Sequence, residues 1–287
     1  MLILASLAAS VAATIGGVGA QPCGIATAGR YVYADSYAQS QLAKIDPRTN
    51  KIVKKIRIGG SPCGIAAGAN TLWVEDFGRN VIIRVGLKHF RVTKLVHVGS
   101  QPWDVAFAYG AAWATNFASG TVSRIDPKTN RVKTIKVTNG VTCIRPGAGA
   151  LWVGTQASDA IYRIDPATNA VQKIVVGNGG EICADPNDDG IWVANNLADS
   201  VSRIDPQTLA VTMTVKVPTK PTDLVRGPDG MEWVASNGAG KVVRVDPKTG
   251  DVAGTVDTGG KPFVIRSGFG SVWTADFGGV NLLRLTP

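Results

Sequence analysis

Short apolar stretches of period two, separated by turn formers, run the length of the chain. In Ala112–Asn130, AWATNFASGTVSRIDPKTN, the alternation over Ala112–Thr115 predicts a half-buried strand, and Asn116 to Gly120 predicts a turn. Thr121 to Ile125 predicts a second strand. Asp126-Pro127-Lys128-Thr129-Asn130 predicts a tight turn that Asp caps, with φ preset by Pro and the left-handed position taken by Asn.

Versions of this phrase recur to the end of the chain. Its Trp falls at Trp73, Trp113, Trp152, Trp192, Trp233 and Trp273, with Val32 filling the slot in an earlier copy. The steps of 41, 40, 39, 40, 41 and 40 residues define seven copies. Strand-only repeats near 40 residues predict an all-β, seven-bladed β-propeller with four-stranded blades. Strand a is the segment of Pro62 to Ala66 type, strand b carries the Trp, strand c ends in Arg-Ile-Asp, and strand d is a Lys-rich outer edge such as Lys51 to Ile58.

The seventh copy stops at Arg284-Leu285-Thr286-Pro287, so its strand d is missing from the C-terminus. Val11 to Gly19 precedes the first Pro-Cys-Gly-Ile as Val252 to Gly259 precedes Lys261-Pro262. These N-terminal residues are expected to close the last blade, antiparallel to Leu282–Leu285, because an unpaired edge would otherwise remain. Residues 10–287 thus read as one domain. Residues 1–9 read as a leader remnant: Met1 to Ala13 is apolar with an Ala-x-Ala end, too short to span a bilayer, and lacks a basic segment before Arg30. Export to the periplasm or exterior is the expectation, with no membrane span.

Tyr31-Val32-Tyr33-Ala34-Asp35 and Ile191-Trp192-Val193-Ala194-Asn195, each followed by Ile-Asp-Pro, resemble YVTN-type β-propeller repeats. The Gly-x-x-Pro-x-x-Ile-Ala lead-ins and Gly227-Pro228-Asp229-Gly230 resemble the streptogramin B lyase (virginiamycin B lyase) branch. The resemblance covers nearly the whole chain. It implies the propeller fold and, for a lyase, His and Glu residues with magnesium at the channel mouth. This chain has no His in its third to seventh repeats; His89 and His97 fall in a c–d turn and on an outer strand. The lyase histidines therefore have no counterpart.

The d–a and b–c loops share one face, where ligand sites are expected. After the d–a turns come Cys23, Cys63, Trp103, Cys143, Cys183, Thr222 and Phe263, with Asp104, Glu181, Asp223 and Arg266 nearby. The ligand-site candidates are Trp103, Asp104, Glu181, Asp223, Phe263 and Arg266, a mixed polar and aromatic set. The b–c set Asp35, Asp76, Asn116, Asn195 and Asp276 reads first as turn-forming side chains.

Three patterns have structural explanations. The basic residue before each Ile-Asp (Lys44, Arg84, Arg124, Arg163, Arg203, Arg244, Arg284) faces the Trp across strands b and c, so a guanidinium over an indole accounts for it. Asp185-x-Asn187-x-Asp189-Gly190 matches half of a calcium loop, but position twelve is Asn196 and no helices flank it, so it reads as a turn. Cys23–Cys63 and Cys143–Cys183 each span 40 residues, which suits disulfides between adjacent blades or buried thiols. The absence of C-x-x-C spacing and the distance of both histidines argue against zinc.

Charged residues make up 18% of the chain and the net charge is +9. The excess concentrates on the outer strands of the first three repeats, with Lys51, Lys54, Lys55, Arg57, Arg91, Lys94, Arg131 and Lys133. Lys on edge strands blocks edge-to-edge pairing, and the same strip suits an acidic polymer or nucleic acid. The expected function is an exported, non-catalytic module that binds a small molecule or protein at the channel mouth. The alternative is a metal-dependent enzyme, either a carbon–oxygen lyase resembling streptogramin B lyase or a lactonase-like one, with Mg or Ca on carboxylate ligands.

Overall fold

The computed structural model describes residues 9–156 and 158–287. It contains seven sheets of four antiparallel strands and a single helical turn at Asn237–Ala239. The inner strands a are Ile25–Ala28, Pro62–Gly68, Pro102–Ala108, Val141–Gly147, Glu181–Asn187, Pro221–Arg226 and Pro262–Gly268. Each pairs in order with its strands b, c and d, as Thr71–Asp76, Val81–Gly86 and Arg91–His97 do in blade 2. In blade 7 the fourth strand is Ser10–Ile15, which runs from Ser10↔Thr286 to Ile15↔Leu282. The ring is closed by the N-terminus, as expected. The leader reading falls on residues of which all but Ala9 lie outside the described ones.

Burial follows strand order. Strands b are buried on both faces, because neighbouring blades cover them, whereas strands d are largely exposed. Six tryptophans at strand b have no exposed surface. Trp73, Trp113, Trp152 and Trp273 donate Nε1–H to a carbonyl at the end of their own strand a, at 3.0–3.2 Å. This bond lets the indole be buried without losing its polar partner.

In the first blade the slot belongs to Tyr33, not Val32. Tyr33 pairs with Lys44 as Trp73 pairs with Arg84, and it packs on Phe90 at 5.6 Å. Val32 faces the other way, because side chains alternate along a strand. The guanidinium lies over the indole in blades 2, 3, 6 and 7, 4.5–5.4 Å from the ring centre. In blade 1 Lys44 lies over Tyr31 instead, at 3.9 Å.

The same basic residues also join blades. Arg124 reaches Pro166 O and Asn169 Oδ1 in the next c–d turn, and Arg284 reaches Pro47 O at 2.6 Å. Those turns form as expected: Asp126 Oδ1 accepts the Lys128 and Thr129 N–H groups at 2.8 Å, and Asn130 has φ 61°. These bonds hold the Asp126 carboxyl below its usual range.

Candidate ligand-binding site

In blades 2 to 7 strand a enters its blade through a β-bulge, and the bulges explain what faces the axis. In blade 3, Pro102 pairs with Asn116 and Asp104 with Thr115, which leaves Trp103 as the extra residue. Ile182 and Thr222 are extra in the same way in blades 5 and 6. A bulge re-aims one side chain. Here the re-aimed residues, with Cys63 and Phe263, line an axial bowl of about 390 Å³.

All seven blades contribute to the bowl, and its lining is divided. The residue four places after the Trp slot reads Tyr37, Phe77, Phe117, Gln156, Asn196, Asn237 and Phe277. Blades 7, 1, 2 and 3 therefore present an aromatic arc. Phe263 packs on Phe277 at 5.2 Å, Phe277 on Tyr37 at 6.1 Å, and Phe77 on Trp103 at 6.1 Å, with Phe117 stacked behind Trp103 at 5.3 Å. Blades 4, 5 and 6 present amides. Asn196 and Asn237 donate Nδ2–H to Pro221 O and Pro262 O, which fixes the side chains and leaves their carbonyl oxygens as acceptors. The b–c aromatics and amides were not among the expected site residues, although the 40-residue period carries them.

Below the bowl, Asp104 and Asp223 meet Arg145 and Arg266. Asp104 Oδ2 accepts the Ile144 N–H at 3.1 Å and pairs with Arg145. Asp223 repeats this arrangement with the Ile265 N–H at 3.1 Å and Arg266 at 2.5 Å, and Arg145 reaches it as well, at 3.2 Å. Burial works against the Arg145 charge, but the two carboxylates outweigh it and raise its pKa. Arg266 is pushed down by burial and by neighbouring Arg145. Two cations and two anions thus neutralise one another.

This floor does not fit magnesium. Each carboxylate is already taken by backbone N–H and guanidinium groups, and Arg145 occupies the place between them. Glu181 is elsewhere: it takes the slot that proline fills in blades 2, 3, 6 and 7, and its Oε1 accepts the Asn178 and Gly179 N–H groups of its own d–a turn. The six expected residues therefore split. Trp103 and Phe263 line the bowl, Asp104, Asp223 and Arg266 form its floor with the unforeseen Arg145, and Glu181 is a turn cap.

The four cysteines meet as Cys23–Cys63 and Cys143–Cys183, with Cα separations of 4.7 and 5.0 Å, inside the disulfide range. The pairs sit at different depths. Cys183 is opposite Ala194 where Asp104 is opposite Thr115, one residue deeper than the bulge slot of Cys63. Both sulfurs of Cys143–Cys183 lie within 4.8 Å of an Asp223 oxygen, but bonded sulfur offers no thiolate to a metal.

Asp35 is not a b–c turn residue. It sits two places after Tyr33 on strand b, as Glu75 sits after Trp73, and both are fully buried. Asp35 Oδ1 accepts the Gly24 N–H at 2.8 Å, and Glu75 Oε1 accepts the Gly64 N–H at 2.9 Å. Gly24 has no room for a side chain, since a Cβ there would lie 2.5 Å from Asp35 Oδ2, and Gly64 is tightly enclosed, since a Cβ there would lie 3.0 Å from both Glu75 Cγ and Asp104 Cα. Asp35 Oδ2 and Glu75 Oε2 have no hydrogen-bond partner. Burial pushes both pKa values well up, and for Glu75 the Asp35 charge adds to it. Glu75 is the acidic residue lining the bowl.

The remaining b–c residues do make turns: Asp76 Oδ1 accepts the Ser61 N–H and Asp276 Oδ1 the Lys261 N–H. At the opposite face Asp189 forks onto Arg226, while Asp185 accepts the Arg226 N–H and the Asn187 amide. The half calcium loop is therefore an ion-paired turn. His89 lies in the c–d turn of blade 2 and His97 ends its outer strand. The eight basic edge residues are all exposed. No helix among the described residues is long and apolar enough to cross a membrane.

No protein-family model and no curated protein sequence matches the chain. Solved structures do. A streptogramin B lyase is 16% identical with a TM-score of 0.84, over 96% of both chains. A catalytically inactive histidine-to-alanine variant of virginiamycin B lyase from Staphylococcus aureus, with quinupristin, is 17% identical with a TM-score of 0.81, over 93% of this chain and 95% of that one. The WD40 propeller domain of Doa1 is 13% identical with a TM-score of 0.78, over 96% of both. The likeness is one of fold. At these identities it carries neither activity nor ligand to this chain.

Proposed function

We propose that the protein is an exported propeller that binds an amphipathic small molecule at the mouth of its central channel without transforming it. The divided bowl is the observation that carries this reading. Its aromatic arc offers apolar faces, its amide arc offers fixed acceptors, and the floor charges are spent on one another. A preformed, mostly apolar cavity with a few placed polar groups is how ligand sites are usually built. The paired cysteines and the apolar N-terminal stretch support an oxidising compartment.

Trp103 supplies the test, because the other six tryptophans are fully buried. A ligand in the bowl should change Trp103 emission and raise the thermal midpoint, and Trp103→Ala should abolish both effects. Stabilisation by ligands that is indifferent to Trp103→Ala would place the site elsewhere and refute the reading.

The lyase-like alternative is favoured by one observation, the lyase fold over nearly the whole chain. Loss of a histidine inactivates the Staphylococcus aureus enzyme, whereas here both histidines lie away from the bowl. Incubation with quinupristin and magnesium should leave the substrate intact; ring opening would overturn the non-catalytic reading. The exposed basic edge further supports weak docking of an acidic polymer, with affinity falling steeply as salt rises.

A further inference from the structure

We propose that the bowl takes an organic cation, whose ammonium head group lies against the aromatic arc above Glu75; this rests on the bowl being a ligand site. The backbone alone does not explain Glu75. In blade 3 the same place is held by Thr115, whose hydroxyl accepts the Asp104 N–H at 3.1 Å. Blades 4 to 7 have Gly154, Ala194, Ala235 and Ala275 there. A neutral hydroxyl, or nothing, meets the structural need, so the second carboxyl oxygen of Glu75 and of Asp35 is surplus to it. Both are buried without a partner.

Charge completes the argument. Asp104 and Asp223 each have an arginine, whereas Asp35 and Glu75 have none. The charges that act on Glu75 come from Asp35 on the strand b of blade 1 and Asp104 on the strand a of blade 3, both of like sign. The one basic side chain lining the bowl, Lys220, is exposed on the d–a turn of blade 6, on the amide side of the ring, and makes no ion pair with Glu75. A cation in the bowl would therefore supply the missing counter-charge. Phe77, Trp103 and Tyr37 line the bowl together with Glu75. Aromatic faces attract alkylammonium groups. They do not provide the six or more oxygen ligands that magnesium or calcium needs. An ammonium therefore fits where a metal ion does not. Its arrival favours the ionised form of Glu75, so binding should release a proton.

The probes are choline and its uncharged isostere 3,3-dimethylbutan-1-ol, titrated calorimetrically into the full chain in two buffers of different ionisation enthalpy. Choline should bind at least about tenfold more tightly and release protons. Glu75→Gln, which keeps the acceptor for the Gly64 N–H, should reduce choline to the level of the isostere. Equal binding of the two probes, undiminished choline binding in Glu75→Gln, or displacement of choline by magnesium would overturn the proposal. The first comparison needs no variant. Failure of choline beside an uncharged ligand that still reports through Trp103 would remove the cation and leave the ligand site standing.

Discussion

Arg145 of the fourth blade reaches Asp223 of the sixth, its Nη2 lying 3.2 Å from Asp223 Oδ2 across an intervening blade. With its other nitrogen on Asp104, one guanidinium ties three inner strands together. Planar, forked donors allow this; an ammonium group does not match the geometry. Arg145→Met should leave Asp104 with backbone donors alone, a buried charge without its partner. A loss of about 3–5 kcal/mol is expected, read as a lower urea midpoint, with Arg145→Lys recovering only part of it. A loss below about 1 kcal/mol would show that the floor is solvated and its pairs are ornamental.

Closure of the ring rests on Ser10–Ile15 and on Arg284. The N-terminal strand covers the edge of Leu282–Thr286 and buries Ile15, while Arg284 bonds Pro47 O of the first blade. Deleting residues 1–15 removes a whole strand of pairing and should lower the thermal midpoint by well over 5 °C. Deleting residues 1–8 leaves the strand intact and should not. Equal midpoints for the two truncations would defeat the account.

The blades and their closure were legible because each depends on a local pattern, the Trp-to-Asp-Pro phrase and its 40-residue step. The site depends on register, which local pattern does not fix. One extra residue at each bulge turns a neighbour to the other face. The sequence reading therefore placed Cys143 and Cys183 level with Cys23 and Cys63, and grouped Glu181 with Asp104 and Asp223. Setting Val32 rather than Tyr33 in the Trp slot also hid the aromatic and amide arcs. With Tyr33 in place, the residue four positions on reads Tyr, Phe, Phe, Gln, Asn, Asn, Phe in blade order. Asp104 and Asp223 were legible as candidates, but the bridge that Arg145 makes between them was not, since it depends on the diameter of the closed ring.

The two cysteine pairs tie blade 1 to blade 2 and blade 4 to blade 5, each closing a loop of 40 residues. Cross-links of that span stabilise by about 3–4 kcal/mol in the chain-entropy description. Non-reducing mass spectrometry of protein made in an oxidising compartment should find no free thiol. Cys23→Ser and Cys143→Ser should each lower the midpoint, and a reductant should lower that of the wild type but not of the double variant. Four alkylatable thiols in the native protein would reject both bridges.

The pH dependence of stability should carry the signature of Asp35 and Glu75. Their pKa values are raised by folding, so between the ordinary carboxylate value of about 4 and the folded value the native state holds more protons than the unfolded chain. Stability from this source is present at low pH and is lost as pH rises through that window. The turn carboxylates act oppositely: Asp46, held at about 2 by Arg48, and Asp126 contribute stability that is lost as pH falls below about 4. A maximum in mildly acidic solution follows. Glu75→Gln keeps the bond to Gly64 and removes the titration, so it should flatten the alkaline limb and raise the midpoint at pH 8, by about 2–4 °C for each kcal/mol of burial cost relieved. At pH 4 wild type and variant should coincide. A variant less stable than wild type at pH 8 would mean that Glu75 is ionised and paired in the folded protein, against the geometry of its unpartnered oxygen.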